Sequence, residues 1–260
     1  MLCVRKTNGQ LEFQSRGGYE NRHPSTEWCI RRADEVYHWP DFEPVAICTE
    51  DVQHHKYAYT GDFAVPDFNF HCWKEVGLTD YVEVTTQMSE SGLSPPEVDK
   101  VGWIGAMTHH NRRRMIEIGK TRTDLFDFVD MNWIRNDPTR LTGTTYISMP
   151  DLAKKYSILL DIEGNGYSGR LKYLLWSRRP VIMVDRPHRE FFFAHMKPWV
   201  HYVPVKRDLT DLVENTEWIK RNPEKALEIA ENARQFCLRH LTRESCYARW
   251  NDIVMIALKG

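Results

Sequence analysis

From residue 100 onward, short apolar segments alternate with helical ones at intervals of roughly 20 residues, the spacing of βα units. This alternation predicts a parallel sheet with crossover helices, in which ligands bind beyond the carboxyl ends of the strands. The predicted strands cover residues 100–105, 125–129, 157–161, 179–185 and 200–205. The predicted helices cover residues 111–119, 149–156, 170–177, 208–220, 224–240 and 244–258.

The first hundred residues are less regular. Residues 1–40 are polar and contain Gly17, Gly18 and Pro24, so we expect a surface segment with one short helix near residues 26–37. Apolar runs predict strands over residues 44–48 and 63–70, and a Ser/Gly/Pro-rich stretch at 89–96 predicts a linker. The chain therefore divides into residues 1–95, completed by a last helix over 243–260, and residues 96–242.

Composition narrows the class of protein. Lys and Arg total 35 and Asp and Glu total 36, and this balance argues against a nucleic-acid-binding protein. The N-terminus lacks an apolar signal segment, and no run approaches the roughly 18 apolar residues of a membrane span, so neither is expected. The six cysteines form no CxxC pair, which favours free, buried thiols in a reducing compartment.

The sharpest local feature spans residues 159–176, where an apolar strand is followed by a loop with three glycines and a helix predicted to start near Ser168. Glycines let the backbone approach an anion, and free N–H groups at a helix start attract one. Arg170 lies in the first turn, where a cation is unfavourable unless an anion lies beside it. A plain strand–turn–helix explains the pattern equally well. The glycine order matches neither GxGxxG nor GxxxxGK[ST], which argues against a dehydrogenase and an ATPase.

A second strand–turn–helix covers residues 103–114. There Thr108 and Arg112 could reach a diphosphate from the opposite side, although a solvated basic helix end is the alternative. The adjacent pairs His109–His110 and His54–His55 point to different faces and make poor metal ligands. No DxD triplet is present, so we expect no metal and no other cofactor, with arginines and backbone N–H groups neutralising a leaving diphosphate.

A catalytic base would be needed if an acceptor hydroxyl attacks a sugar carbon, and a carboxylate is the usual choice. The candidates before the linker are Asp67, Glu75 and Asp80. Asp80 follows a turn from which a side chain can point into a cleft. A solvated carboxylate or a helix cap is the alternative interpretation of each.

These segments, in this order, resemble glycosyltransferase family 90, the group of capsule-associated xylosyltransferases and protein O-glucosyltransferases. The strongest likeness lies at residues 166–175, 179–184, 190–192 and 197–209, the last reading KPWVHYVPVKRDL. Residues 40–43, 66–70 and 103–108 add to it. The resemblance covers residues 38–255.

The resemblance implies an α/β, GT-B-like fold of two Rossmann-like domains facing a cleft, with the acceptor side in residues 1–95 and the nucleotide-sugar side in 96–242. It implies a UDP-sugar donor and inversion at the anomeric carbon. By motif position, it places the donor contacts and the base on the following residues, with Glu75 left open as an alternative base. The donor-binding residues are Thr108, Arg112, Gly166, Ser168, Gly169, Arg170 and Glu190, and the catalytic residue is Asp80.

The expected activity is transfer of xylose, or else glucose, from a UDP-sugar to a hydroxyl of a glycan or glycoprotein. The acceptor-side half is short, which favours a glycan. Larger, disulfide-bearing members of the family are luminal, whereas this short chain with unpatterned cysteines fits a cytoplasmic setting. The alternatives are a catalytically inactive module that binds nucleotide or glycan, and another nucleotide enzyme such as a dehydrogenase.

Overall fold

The computed structural model describes residues 1–51, 64–131 and 147–259. The chain forms two compact units. The first unit consists of Met1–Glu83, His188–His195 and Leu238–Gly260, and the second of Val84–Pro187 and Met196–Cys237. The limits predicted from the sequence differ from these mainly at residues 84–95 and 188–195. The assignment of acceptor and donor sides to the two halves stays a prediction.

The described residues contain eight strands and eight α-helices. The strands are β1 (Leu2–Thr7), β2 (Gln10–Ser15), β3 (Phe42–Ile47), β4 (Val98–Gly105), β5 (Phe126–Asp130), β6 (Tyr156–Asp161), β7 (Val181–Val184) and β8 (Val203–Val205). The helices are α1 (His23–Tyr37), α2 (Tyr81–Ser91), α3 (His110–Thr121), α4 (Met149–Lys155), α5 (Leu171–Leu174), α6 (Leu212–Arg221), α7 (Pro223–His240) and α8 (Arg243–Ala257).

The chain begins with a β-hairpin, where the sequence analysis expected a surface segment. β1 and β2 pair antiparallel across a two-residue turn of Asn8 and Gly9, whose φ values are +51° and +75°. Asn-Gly is the residue pair that such turns favour, because both positions need a positive φ. The carboxylate of Asp41 accepts both turn N–H groups, at 2.7 and 2.9 Å. The prediction for residues 1–40 was therefore wrong in this part, although α1 confirms the helix.

The sheet of the first unit has the order β2-β1-β3, and both of its pairings are antiparallel. It therefore differs, within the described residues, from the parallel sheet of the Rossmann-like half predicted for residues 1–95. The strand predicted over 63–70 is also wrong in its described part, where Phe68–Phe70 form a 3₁₀ turn. Pro66 lies in this segment and lacks the N–H group that a strand ladder needs.

The second unit is built on a five-stranded sheet of order β5-β4-β6-β7-β8, with every pairing parallel. The strands predicted after residue 100 are confirmed, and with them the α/β class. When the strands are numbered within this unit alone, their order in the sheet is 2-1-3-4-5. This is a doubly wound pattern, in which the direction in which strands are added to the sheet reverses between the first and third strands. The reversal lies between β4 and β6. Ligands of such sheets bind outside the carboxyl ends at that point.

Two expectations about burial and length can be checked on the described residues. All six cysteines lie within them, and each is a free, buried thiol, as predicted. Within residues 1–51, 64–131 and 147–259, none of the helices is both long enough and apolar enough to cross a bilayer.

Candidate functional site

Two turns meet at the reversal point of the second unit. The β4 turn (residues 105–109) follows β4, and the glycine loop (residues 164–169) lies just beyond β6. A methyl group added at Gly164 would lie 3.2 Å from both Oγ1 of Thr108 and Nη2 of Arg112, and one added at Gly105 would lie 2.9 Å from Nη2 of Arg170. The fold therefore brings Thr108, Arg112 and Arg170 together, as the resemblance implies.

Arg112 ties the two turns to each other. Its side chain is buried, and its guanidinium donates to three backbone carbonyls: Ala106 at 2.9 Å, Ile162 at 3.2 Å and Glu163 at 2.8 Å. Burial, together with the nearby charge of Arg170, lowers the pKa of Arg112 to about 9, which still leaves it protonated at neutral pH. Much of the donor capacity of Arg112 is thus spent on the protein itself.

Arg170 has a different environment. Its Nη1 donates to the Ile104 carbonyl at 2.6 Å, and its guanidinium lies over the ring of Trp103, 5.6 Å from the centroid. Within the described part of the chain, this is its one hydrogen bond. Burial lowers the pKa of Arg170, and the carboxylate of Asp161 acts in the opposite direction. A guanidinium has five N–H donors, so this one keeps most of them for an anion.

The glycine loop packs tightly, but the helix after it is shorter than predicted. The Gly164 N–H donates to the Gly166 carbonyl at 3.1 Å, and buried Ser168 accepts the Leu171 N–H through its own carbonyl at 3.2 Å. The helix predicted from Ser168 to Ser177 is wrong in length, since α5 has only four residues. The backbone leaves the helical region by Arg178, whose φ is +56°. The dipole of so short a helix would contribute little to anion binding, so binding at this site would depend on Arg170 and the backbone of the glycine loop.

Glu163 is a buried charge that the sequence analysis missed. It is 2% exposed and accepts from Nε of Arg207 at 2.9 Å and from Nδ2 of Asn111 at 3.3 Å. His109 lies beside it, with Nε2 3.8 Å from Oε1 of Glu163, and Nδ1 of His109 accepts the Asn111 N–H at 3.2 Å. Burial lowers the pKa of His109, while Glu163 opposes this shift. The available signal was a carboxylate immediately after a buried strand.

Asp161 and Arg186 form a second buried ion pair in this unit, each about 1% exposed in its side chain. Asp161 ends β6, so its charge lies at the same sheet edge as the two turns. One carboxylate oxygen, Oδ1, has no hydrogen-bond partner among the described residues. Asp161 thus supplies negative charge that partly offsets the arginines around it.

Asp80, the predicted base, belongs to the first unit and serves as a helix cap there. Its Oδ1 accepts the N–H groups of Val82 at 2.9 Å and Glu83 at 3.1 Å, and its Oδ2 accepts Nη2 of Arg243 at 2.5 Å. Burial raises the pKa of Asp80, but the hydrogen bond from Arg243 and those from the backbone outweigh it, so the pKa is lowered. Glu75, the alternative base, is exposed in the 3₁₀ turn Lys74–Val76.

A second carboxylate of the first unit, Asp51, has the opposite electrostatics. Burial raises its pKa, and the charge of buried Asp67 adds to this, although Nη1 of Arg22, 3.6 Å away, opposes it. Like Glu163, it follows closely on an apolar strand, here β3. Glu190 is buried and also lies in the first unit, just before the 3₁₀ turn Phe191–His195.

The comparison with known families decides the assignment. The family model of glycosyl transferase family 90 matches residues 52–255, more than three quarters of the chain. The chain belongs to glycosyltransferase family 90. The resemblance seen in the sequence is therefore confirmed.

Individual relatives match over shorter stretches. An uncharacterized protein, 035R, of Invertebrate iridescent virus 3 is 32% identical over 153 residues, covering 53% of this chain and 14% of that protein. Protein O-glucosyltransferase 2 of Danio rerio is 29% identical over 174 residues, covering 64% and 34%. Protein O-glucosyltransferase 1 of Homo sapiens is 37% identical over 100 residues, covering 38% and 26%. The matches thus span from about a seventh to a third of these relatives' length.

Solved structures with partial likeness are glycosyltransferases or related complexes. Anabaena HepE in complex with UDP-glucose has a TM-score of 0.40 and 11% identity, covering 65% of this chain and 44% of that one. A glycosyltransferase from Rickettsia africae has a TM-score of 0.39 and 13% identity, covering 95% and 57%. At these scores the likeness adds nothing to the fold established above, and the facing of two domains across a cleft stays a prediction.

Proposed function

We propose that this family 90 chain transfers a sugar from a UDP-sugar to a hydroxyl of a glycan or glycoprotein, with inversion at the anomeric carbon. The observation that carries the proposal is Arg170, a half-buried guanidinium at the reversal point of a doubly wound sheet, with one hydrogen bond to the protein among the described residues. The relatives from Danio rerio and Homo sapiens described above are named O-glucosyltransferases, which favours glucose as the donor sugar, whereas the family resemblance alone favours xylose.

Arg170 is the residue that would hold the leaving diphosphate. Negative charge grows on the diphosphate as its bond to the anomeric carbon breaks, so a preorganised cation there lowers the barrier more than it tightens substrate binding. The hydroxyls of Ser168 and Thr108 make no hydrogen bonds within the described residues, and they are available as further donors. Gly166 and Gly169 keep the loop backbone open to the phosphates. Glu190 stays a proposed contact to the ribose or the sugar.

Arg112 takes a different part in this proposal from the one its motif position implies. Its three carbonyl partners connect the β4 turn to the residues just before the glycine loop. Arg112 would therefore stabilise the shape of the phosphate-binding site and add positive potential to it, rather than bind the phosphates directly. The proposed mechanism uses no metal ion and no other cofactor.

The base would remove the acceptor proton as the acceptor oxygen attacks the anomeric carbon and UDP departs. A useful base has a pKa near the working pH. Asp80 is the base implied by the resemblance, but its lowered pKa and its ion pair with Arg243 weaken it as a proton acceptor. Burial raises the pKa of Asp51, against the opposing charge of Arg22, and this is the direction of shift that favours a general base. We therefore propose Asp51 ahead of Asp80.

The donor is tested by measuring UDP release from UDP-glucose and UDP-xylose, with and without added acceptor sugars. We expect one of the two to be turned over and the Arg170→Ala variant to lose that turnover. Release of no UDP from either donor, combined with tight UDP binding, would support the alternative of a catalytically inactive binding module.

The base is tested by comparing two isosteric variants, Asp51→Asn and Asp80→Asn, under saturating donor. Loss of a general base reduces turnover by about 10²–10⁴-fold. We expect that loss for Asp51→Asn. Asp80→Asn should instead lower the thermal midpoint slightly, because it removes the ion pair with Arg243, while the amide oxygen can still cap α2. The reverse pattern would return the role to Asp80.

A further inference from the structure

The second unit has another concave surface, at the edge of the sheet opposite to the two turns. Trp199 and Val200 precede β8, and because all five strands are parallel, the start of β8 lies at the amino-end edge. A groove of about 620 Å³ lies there between this segment and helices α6 and α7. Its volume is within the range of small-molecule sites. Its lining includes Trp199, Trp218, Asn215, Arg221, Glu228 and Asn232.

Trp199 is displayed in this groove by a locked turn. Its side chain is 43% exposed, although a tryptophan is normally turned inward. Its N–H donates to the Tyr202 carbonyl at 2.8 Å, and the His201 N–H donates to the Lys197 carbonyl at 3.0 Å. Its φ of +62° is a left-handed conformation that is strained for a bulky residue, and such strain concentrates at ligand-binding positions.

The exposed indole is also supported from behind. Trp218 on α6 packs edge-on against Trp199, with ring centroids 4.8 Å apart and an interplanar angle of 72°. Such an arrangement fixes the orientation of the ring and leaves a flat apolar face towards the groove. A rigid aromatic face of this kind suits a ligand with a flat C–H surface.

The polar lining indicates the class of ligand. The amide of Asn232 can both donate and accept, and Asn215, whose Nδ2 donates to the Pro204 carbonyl at 2.8 Å, can still accept through Oδ1, so both suit hydroxyl groups. The charged side chains balance, since Glu214 and Glu228 face Arg221 and Lys225 around the same groove. A phosphate or a carboxylate would gain no net attraction there. A neutral pyranose, with C–H groups on its face and hydroxyls at its rim, matches both features.

We propose that this groove binds a neutral oligosaccharide through stacking on Trp199. The site is separate from the candidate donor site, because it lies at the other edge of the same sheet. Binding there does not depend on transfer, so the proposal stands or falls independently of the proposed function.

The test uses the full chain and two neutral probes, cellotetraose and xylotetraose, titrated by calorimetry. We expect at least one to bind with a dissociation constant on the order of 1 mM, about 4 kcal/mol. Trp199→Gly should weaken it at least tenfold, which is about 1.4 kcal/mol. Glycine also relieves the backbone strain at φ +62°, so the loss should come without unfolding. The matched control, Arg170→Ala, should bind the probe as the wild type does.

Three outcomes would overturn the proposal. Neither probe binds at about 10 mM, ten times the expected constant; Trp199→Gly binds as tightly as the wild type; or Arg170→Ala abolishes binding, which would place the sugar in the donor site. Should Trp199→Gly fold poorly, Trp199→Phe and Asn232→Ala replace it. Each is expected to weaken binding by about threefold or more (roughly 0.7 kcal/mol), and unchanged binding in both would equally refute the groove.

Discussion

Two arginines lie at the same end of the parallel sheet, Arg112 in the first turn of α3 and Arg170 just after the glycine loop, and the family motif implies the same role for both. The structure separates them. Arg112 donates to one carbonyl of the β4 turn and to two that lie just before the glycine loop, whereas Arg170 donates to one, and both guanidinium groups lie over the ring of Trp103. Arg112 is buried and Arg170 is half-buried, and burial lowers the pKa of both.

The difference shows that burial of a cation does not by itself mark a phosphate site. The number of donors already used by the protein is the better guide, because a buried carbonyl without a partner is costly and will not release its donor readily. By this measure, Arg112 stabilises the structure of the site, whereas Arg170 keeps most of its N–H donors for the phosphates of the donor. The predictions below test that division, beginning with the largest expected effect.

The largest effect is expected on stability at Arg112. Arg112→Met keeps most of the stem but leaves two buried carbonyls and one partly buried carbonyl without their donor, so we expect the free energy of unfolding to fall by about 3 kcal/mol. Urea unfolding followed by circular dichroism measures this. Arg113 and Arg114 are exposed neighbours on α3, and their alanine variants should change stability by about 0.5 kcal/mol or less.

A different result at Arg112 would break the comparison. If Arg112→Met kept wild-type stability but lost affinity for UDP, then Arg112 would contact the donor directly and the two arginines would share one task after all. Measuring UDP affinity on the same preparations distinguishes the two cases.

The second effect is expected on turnover at Arg170. Arg170→Ala should reduce turnover on the order of 10²-fold, about 2.7 kcal/mol in the barrier, because the developing charge loses its donor. Stability should change by about 1 kcal/mol or less, since one hydrogen bond is lost. Arg170→Lys keeps the charge but loses the planar guanidinium, so its turnover should lie between those of the wild type and Arg170→Ala. If Arg170→Ala turned over the donor as fast as the wild type, Arg170 would not be part of the phosphate-binding site.

The sequence predicted the parallel strands because each is a short, buried apolar run between turn residues. The family resemblance implied that Thr108, Arg112 and Arg170 contact the same diphosphate, and in the structure they follow the adjacent strands β4 and β6. The sequence could not predict which arginine is satisfied. The partners of Arg112 are the carbonyls of Ile162 and Glu163, about 50 residues away, and their orientation depends on the loop backbone rather than on side-chain identity.

Two other features were within reach of the sequence and were not used. Asn8-Gly9 is a strong hairpin signal, and the polarity of the surrounding residues concealed it. Glu163 and Asp51 are acidic residues that follow apolar strands, a position where side chains are often buried. The sequence allowed Asp80 to be either a helix cap or a base. The N–H groups of Val82 and Glu83 donate to its carboxylate, which identifies it as a cap.

The third prediction concerns His109, which holds the β4 turn at the start of α3. Its Nδ1 accepts the Asn111 N–H, so protonation there removes the cap. Its folded-state pKa is below the ordinary value of 6.5, so the unfolded chain binds more protons and stability is lost as the pH falls through 6.5. His109→Ala should cost about 1 kcal/mol at about pH 7.5.

The pH dependence provides the check on His109. The variant should lose less stability than the wild type between about pH 7.5 and 5.5, because one titrating group has gone. His23, His71 and His240 also have lowered pKa values, so the slope should decrease without vanishing. An identical slope in both proteins would show that the pKa of His109 is the same in the folded and unfolded states, which would contradict the prediction.

The smallest effects are expected at two glycines, each of which lies against the arginine that the opposite turn relies on. A methyl at Gly164 would press on Arg112 and Thr108 at 3.2 Å, so Gly164→Ala should lower the free energy of unfolding by about 1 kcal/mol or less. A methyl at Gly105 would press on Trp103 at 2.7 Å and Arg170 at 2.9 Å, so Gly105→Ala should lower turnover by less than about tenfold. If the division between the arginines is right, the two alanines affect different quantities. Gly164→Ala should leave turnover per folded molecule almost unchanged, and an equal loss of turnover in both variants would mean that the two turns act as one.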